Sequence, residues 1–147
     1  MKLMISALAA LMAISATTFA AEDIESGQAI TGTDCVLLGD NVTLNLSNNV
    51  IGAYSCTELT STIKVATCHS SGSRKAGNVK CVVVGENEEG DPIFNASQCT
   101  AAGEDIEQAA AYRAYAASNK GGSVGQVALN GSCTSATLKG LGTAYLD

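Results

Sequence analysis

Six cysteines, Cys35, Cys56, Cys68, Cys81, Cys99 and Cys133, constrain this chain more than any other feature of it. No two of them form the C-x-x-C pair that opens a zinc site. The neighbours Cys68 and His69 do not complete a haem-attachment motif either, because Val65 stands where its first cysteine would be. An even set of cysteines without metal spacing reads as a disulfide framework when the chain is exported. Six cysteines allow fifteen pairings, and spacing alone does not choose among them.

The first residues supply the export context. Lys2 gives a positive start, residues 3–14 form an apolar run too short to span a bilayer, and Thr18 and Ala20 offer the small side chains a signal peptidase requires. Residues 1–20 are therefore expected to be a leader, cleaved before Ala21. Its short positive region and alanine content are of the bacterial kind. No second apolar stretch approaches a membrane span, so the expected product is secreted, extracellular or periplasmic, with no transmembrane anchor. Residues 21–32 read as a flexible N-terminal arm and residues 33–147 as a single disulfide-rich domain.

Composition explains why cross-links would matter. The chain has no Trp, two Phe and four Tyr, so much of its apolar content is alanine and valine and its core has few large anchors. Fourteen acidic residues oppose eight basic ones, a formal net charge of −6, which disfavours nucleic acid as a partner. The charges are also segregated. Lys64, Arg74, Lys75 and Lys80 fall in residues 59–85 with no acid, whereas Glu86, Glu88, Glu89 and Asp91 open an acidic stretch that runs to Glu107. Two solvated surfaces, or neighbouring strands that neutralise each other, are the bland explanation. The sharper one makes these eight residues candidates for an interaction surface.

Period-two alternation dominates the chain. Val42, Leu44 and Leu46 alternate with polar residues, the pair Asn48 and Asn49 suits a turn, and residues 50–54 would return as a hairpin partner. Residues 62–67 and 79–84 continue the pattern, giving four strands of a meander, with a short strand at 93–95. The fold class expected is mainly β, an antiparallel meander or small sandwich stabilised by disulfides. One α-helix is expected near residues 104–119, where Glu104, Asp105 and Glu107 precede an alanine-rich run ending at Lys120 and two glycines. A strand over residues 112–118, joined by a turn to residues 123–129, is the competing reading of that segment. The tail, residues 134–145, is expected to form a last short strand.

Sites of chemistry are sparse. His69 is the only histidine, but none of the serines beside it lies in a G-x-S-x-G elbow, and a disulfide-bonded Cys68 is no nucleophile. The acidic residues 86–91 lack the D-x-[DN]-x-[DN]-G spacing of a calcium loop. Asn41, Asn45, Asn95 and Asn130 begin N-x-S/T triplets that a chain rich in these residues carries by chance. No catalytic, cofactor or metal site is expected, and an enzyme is disfavoured. The expectation is a secreted structural or interaction protein, a self-assembling filament or surface-layer subunit whose partner is itself or another exported protein. The alternative is a monomeric binding or inhibitor module.

Overall fold

The computed structural model describes residues 20–86, 90–96, 98–121, 124–141 and 145–146; all but the last residue of the expected leader lies outside them. In chain order the first strands are β1 (Glu22–Ile24), β2 (Ala29–Ile30), β3 (Val42–Thr43), β4 (Val50–Thr57) and β5 (Thr62–His69). There follow β6 (Gly77–Lys80), β7 (Val83–Glu86), β8 (Pro92–Phe94), β9 (Asp105–Gln108), β10 (Arg113–Ser118) and β11 (Gly125–Ala128), and then one helix, α1 (Ser135–Lys139). The mainly β, antiparallel character read from the alternation is borne out.

The framework is an antiparallel sheet of order β1-β4-β5-β10-β11. Its register sets Ala53 beside Ala66, Ala66 beside Ala116 and Ala116 beside Gly125, with Asp23 at the β1 end of that row. These alanines are almost wholly buried. A row of one-carbon side chains makes a flat floor on which a second layer can sit close. Helix α1 places Leu138 on it beside the sheet residues, and β7 lays Val84 against Gly125. A Cβ on Gly125 would stand 2.2 Å from Val84 Cγ1, so glycine is required there by contact.

The opposite face carries Ile24, Tyr54 and Cys56, covered by Leu37, Leu38, Leu44 and Leu46 from the segment between β2 and β4. That segment is stitched down by Ser26, whose Oγ accepts from the Leu46 amide at 2.9 Å, and by the Gly27 amide, which donates to the Leu44 carbonyl at 2.9 Å.

Three disulfides fasten these layers. Cys35–Cys56 ties the cover to β4, Cys68–Cys133 ties β5 to the approach to α1, and Cys81–Cys99 closes the loop that carries β7 and β8. No cysteine is free.

Five expectations need correction. Residues 104–119 are not helical: they contain β9 and β10, because the buried floor needs Ala114 and Ala116 on one face and a period of two delivers them. The helix lies instead in the tail expected to be a strand. Thr134 caps it, its Oγ1 accepting from the Thr137 amide while Thr137 Oγ1 accepts from the Thr134 amide. Residues 42–54 do not make a hairpin. β3 pairs with β2, and Asn49, at φ 66°, turns the chain from the covering layer into β4. The four-strand meander gives way accordingly: β6 pairs with β9 and β7 with β8, outside the central sheet. Finally, residues 21–32 are no loose arm, since Ala21 and Ile24 are buried and β1 completes the sheet beside β4.

Helix α1 holds β1 through charge. Lys139 Nζ lies 2.9 Å from one carboxylate oxygen of Asp23, and Ser135 Oγ donates to the other. These bonds, Ser135 first and Lys139 second, hold the Asp23 carboxyl below its ordinary value of 3.8. A depressed native value means stability that is present above the unfolded pKa and lost as pH falls through the native one. Asp23 is 44% exposed, so the contribution is small. Asp23→Asn is expected to lower the urea-unfolding free energy at pH 7 by up to about 1 kcal/mol. The difference should vanish well below pH 3.8, where the wild-type carboxyl is also neutral. Equal stabilities at pH 7 would refute the clasp.

Candidate interaction surface

Among the described residues, the face of the sheet opposite α1 is only half covered. Across it run Ile24, Gly52, Thr67, Tyr115 and Gln126 in one register row, and Glu22, Tyr54, Val65 and Ala117 in the next. The leucine-bearing cover reaches β1, β4 and part of β5. Over β10 and β11 it stops, leaving Tyr115 51% exposed with Val65 and Ala117 half-buried around it. Its direct cross-strand neighbours are Thr67 and Gln126, with Val65 and Ala117 in the adjoining register row.

One basic residue, Arg113, borders this open half, and it is tied to the loop that carries Arg74 and Lys75. Arg74 lies over the Tyr112 ring, its Cζ 4.9 Å from the centroid, with Nη1 3.4 Å from the Tyr112 hydroxyl. Arg113, at the start of β10, donates from Nη2 to the Lys75 carbonyl at 2.6 Å. These bonds anchor the exposed loop between β5 and β6 against the start of β10; Tyr112 packs with the α1-side cluster, so Arg74 lies on that side, whereas Arg113 alternates with Ala114 and shares the face of Tyr115. Arg113 and Tyr115 were not singled out as interaction residues from the sequence. The alternation of Arg113, Tyr115 and Ala117 with Ala114 and Ala116 carried that signal, and the helix reading hid it.

The other candidate residues are dispersed. Lys80 is paired across strands with Asp105, and its neighbour Asn78 with Glu107. Lys64 and Glu86 line one narrow groove between β5, β7 and β10. The basic and acidic stretches are thus interleaved within one molecule at these positions. Asp91 precedes β8, while Glu88 and Glu89 lie outside the described residues. Of the eight candidates, Arg74 and Lys75 share the loop that is bound to Tyr112 and Arg113 at the start of β10.

His69 ends β5, exposed, with Nδ1 accepting from the Ser71 amide at 3.0 Å, which shapes the turn. Asn95 is buried: its Oδ1 accepts from the Val82 amide and its Nδ2 donates to the Lys80 carbonyl, both at 3.0 Å. It works as a bridge between β-segments. Among the described residues, no group of three His, Cys, Asp or Glu side chains is placed to hold a metal. Among the same residues, no helix is long and apolar enough to cross a membrane.

A second concave feature follows the outer edge of β11. It is a cavity of ≈ 420 Å³ bordered by Val127 and Ala128 of that strand and by the amides Gln98, Gln108 and Asn130. Gln108 is fixed by Gln126, which donates from Nε2 to its Oε1 at 3.2 Å. The sequence matches no family model, and no curated protein and no solved structure resembles it significantly.

Proposed function

We propose that this chain is an exported structural or interaction protein that associates with further copies of itself through the open half of its central sheet. The observation that carries the reading is the exposed Tyr115, with Val65 and Ala117 half-buried diagonally beside it and Arg113, to which the Arg74–Lys75 loop is tied, on the same face of a disulfide-stapled frame. A rigid frame limits the order lost on association, and a net charge of −6 gives a basic patch acidic surface to meet on another copy. Apolar contact supplies the holding energy. Charge supplies register, since exposed ion pairs are worth only about 0–1 kcal/mol each.

Light scattering across concentration and salt tests this on the exported protein. The wild type is expected to form species larger than a monomer at high concentration. Tyr115→Asp, and Arg74→Glu with Lys75→Glu, should each fold normally and shift association at least about tenfold toward monomer, an effect of roughly 1.4 kcal/mol. A wild type that stays monomeric at every concentration and salt would refute self-association. It would favour the second reading, a monomeric module that takes an extended segment of another exported protein along the open edge of β11.

A further inference from the structure

The turn that follows β11 runs between two fixed points. The Leu129 amide donates to the Tyr112 carbonyl at 2.8 Å, and Cys133 is bridged to Cys68. Asn130, Gly131 and Ser132 lie between them, all exposed. Asn130 and Gly131 are the one Asn-Gly pair of the sequence. Gly131 sits at φ 131°, a backbone angle that residues with a side chain rarely adopt, so the fold itself demands glycine after this asparagine.

That demand leaves two reactive groups side by side. Among the described residues, neither the Asn130 carboxamide nor the Gly131 amide has a hydrogen-bond partner, and no side chain on Gly131 shields its nitrogen. Several other asparagines are held. Asn119 accepts from the Ile63 amide at 3.0 Å and donates to the Ser61 carbonyl at 3.1 Å. Asn95 is buried and bonded at both side-chain polar atoms. Asn45 and Asn49 precede Leu46 and Val50, whose amides are engaged by Ser26 Oγ and by the Ser47 carbonyl.

We infer that Asn130–Gly131 is a self-modifying site in the folded protein: the Gly131 nitrogen attacks the Asn130 carboxamide, and the succinimide so formed opens to isoaspartate or aspartate, the isoaspartate loosening the approach to α1.

The step balances. Base removes the Gly131 amide proton, the nitrogen bonds to Asn130 Cγ, and the Cγ–Nδ2 bond breaks with loss of ammonia. Water then opens the ring. Cleavage between the nitrogen and Cγ leaves aspartate on an unaltered main chain. Cleavage between the nitrogen and the main-chain carbonyl carbon of Asn130 leaves isoaspartate, with the chain running through Cβ and Cγ. A water is consumed, an ammonia is released, and nothing is oxidised or reduced. Isoaspartate lengthens the main chain by a carbon between Leu129 and Cys133. That span is already close to α1: Thr137 Oγ1 donates to the Ser132 carbonyl at 2.5 Å, and a Cβ on Gly131 would stand 3.3 Å from Thr137 Cγ2. The added carbon has to be taken up there, where Thr137 closes the capping box of the helix.

The inference depends neither on self-association nor on leader removal, so a monomeric protein tests it equally well. Wild-type protein with its disulfides intact is incubated at mildly alkaline pH and peptide-mapped by mass spectrometry over time. Asn130 is expected to convert before any other asparagine, at a rate that rises with pH. That rate should lie within about tenfold of the rate in the reduced, unfolded chain, a barrier difference of no more than about 1.4 kcal/mol. Asn130→Gln, an exposed substitution that leaves folding intact, should suppress the change. The isoaspartyl protein should melt below Asn130→Asp, which carries the same charge on an unlengthened chain. Conversion confined to the unfolded chain, conversion led by another asparagine, or an isoaspartyl form as stable as Asn130→Asp would each overturn the inference.

Discussion

Replacing Cys68 and Cys133 together by alanine is expected to lower the urea-unfolding free energy by about 4 kcal/mol. This bridge joins residues 65 apart, against 21 for Cys35–Cys56 and 18 for Cys81–Cys99. Constraint of the unfolded chain grows with the logarithm of the closed loop, which puts the two shorter bridges at about 3 kcal/mol each. The native state adds to the difference. Both sulfurs lie in the main cluster, beside Ala66 and Leu138, so their removal also thins the packing between β5 and α1. Domains of this size are stable by about 5–15 kcal/mol, and a loss of 4 would leave a marginal fold. Alanine pairs at each of the three bridges, compared in parallel melts, make the check. A smaller loss for Cys68–Cys133 than for Cys81–Cys99 would show that loop constraint does not set the order.

Leu138→Ala should cost about 3 kcal/mol, within the usual range for truncating a fully buried leucine. Leu138 has no exposed surface and is the buried residue of α1, so it is the side chain through which a five-residue helix holds to the alanine floor. The alanines beneath it offer little to collapse into the space left behind, and the cavity term should therefore persist. Tyr115→Ala provides the contrast. With half its surface already exposed it should change monomer stability by no more than about 0.5 kcal/mol while weakening association. A loss below about 1 kcal/mol for Leu138→Ala would mean that α1 is held by Cys133 and the Asp23 clasp instead of by packing.

Much of this architecture was legible from local pattern. Alternation marked β5, where Thr62, Ala66 and Cys68 are buried between more exposed neighbours, whereas β4 was found as the return of a turn and is buried on both faces. The even cysteine count without metal spacing matched three closed bridges. The alanine-rich run was misread because alanine favours helices in isolation, whereas in β10 its small size serves a floor that two other segments must approach. Turn signals failed similarly at Asn49. The turn is present, but it links the covering layer to the sheet, since β1 already holds the edge of β4 that a hairpin would have used.

The candidate surface divides along the same line. Clustered charge grouped Arg74 and Lys75 with Lys64 and Lys80, which the fold separates from them: Lys64 lines a groove with Glu86, and Lys80 is paired across strands with Asp105. By itself the sequence determined the β class, the oxidised framework and the absence of a specific catalytic motif, because each follows from residue types and short spacings. Which cysteines pair, where the helix lies and which half of the sheet stays bare were decided only by the tertiary structure. Those outcomes depend on contacts between residues far apart in the chain, such as Cys68 with Cys133 or Asp23 with Lys139, and no local pattern encodes which distant partner a side chain meets.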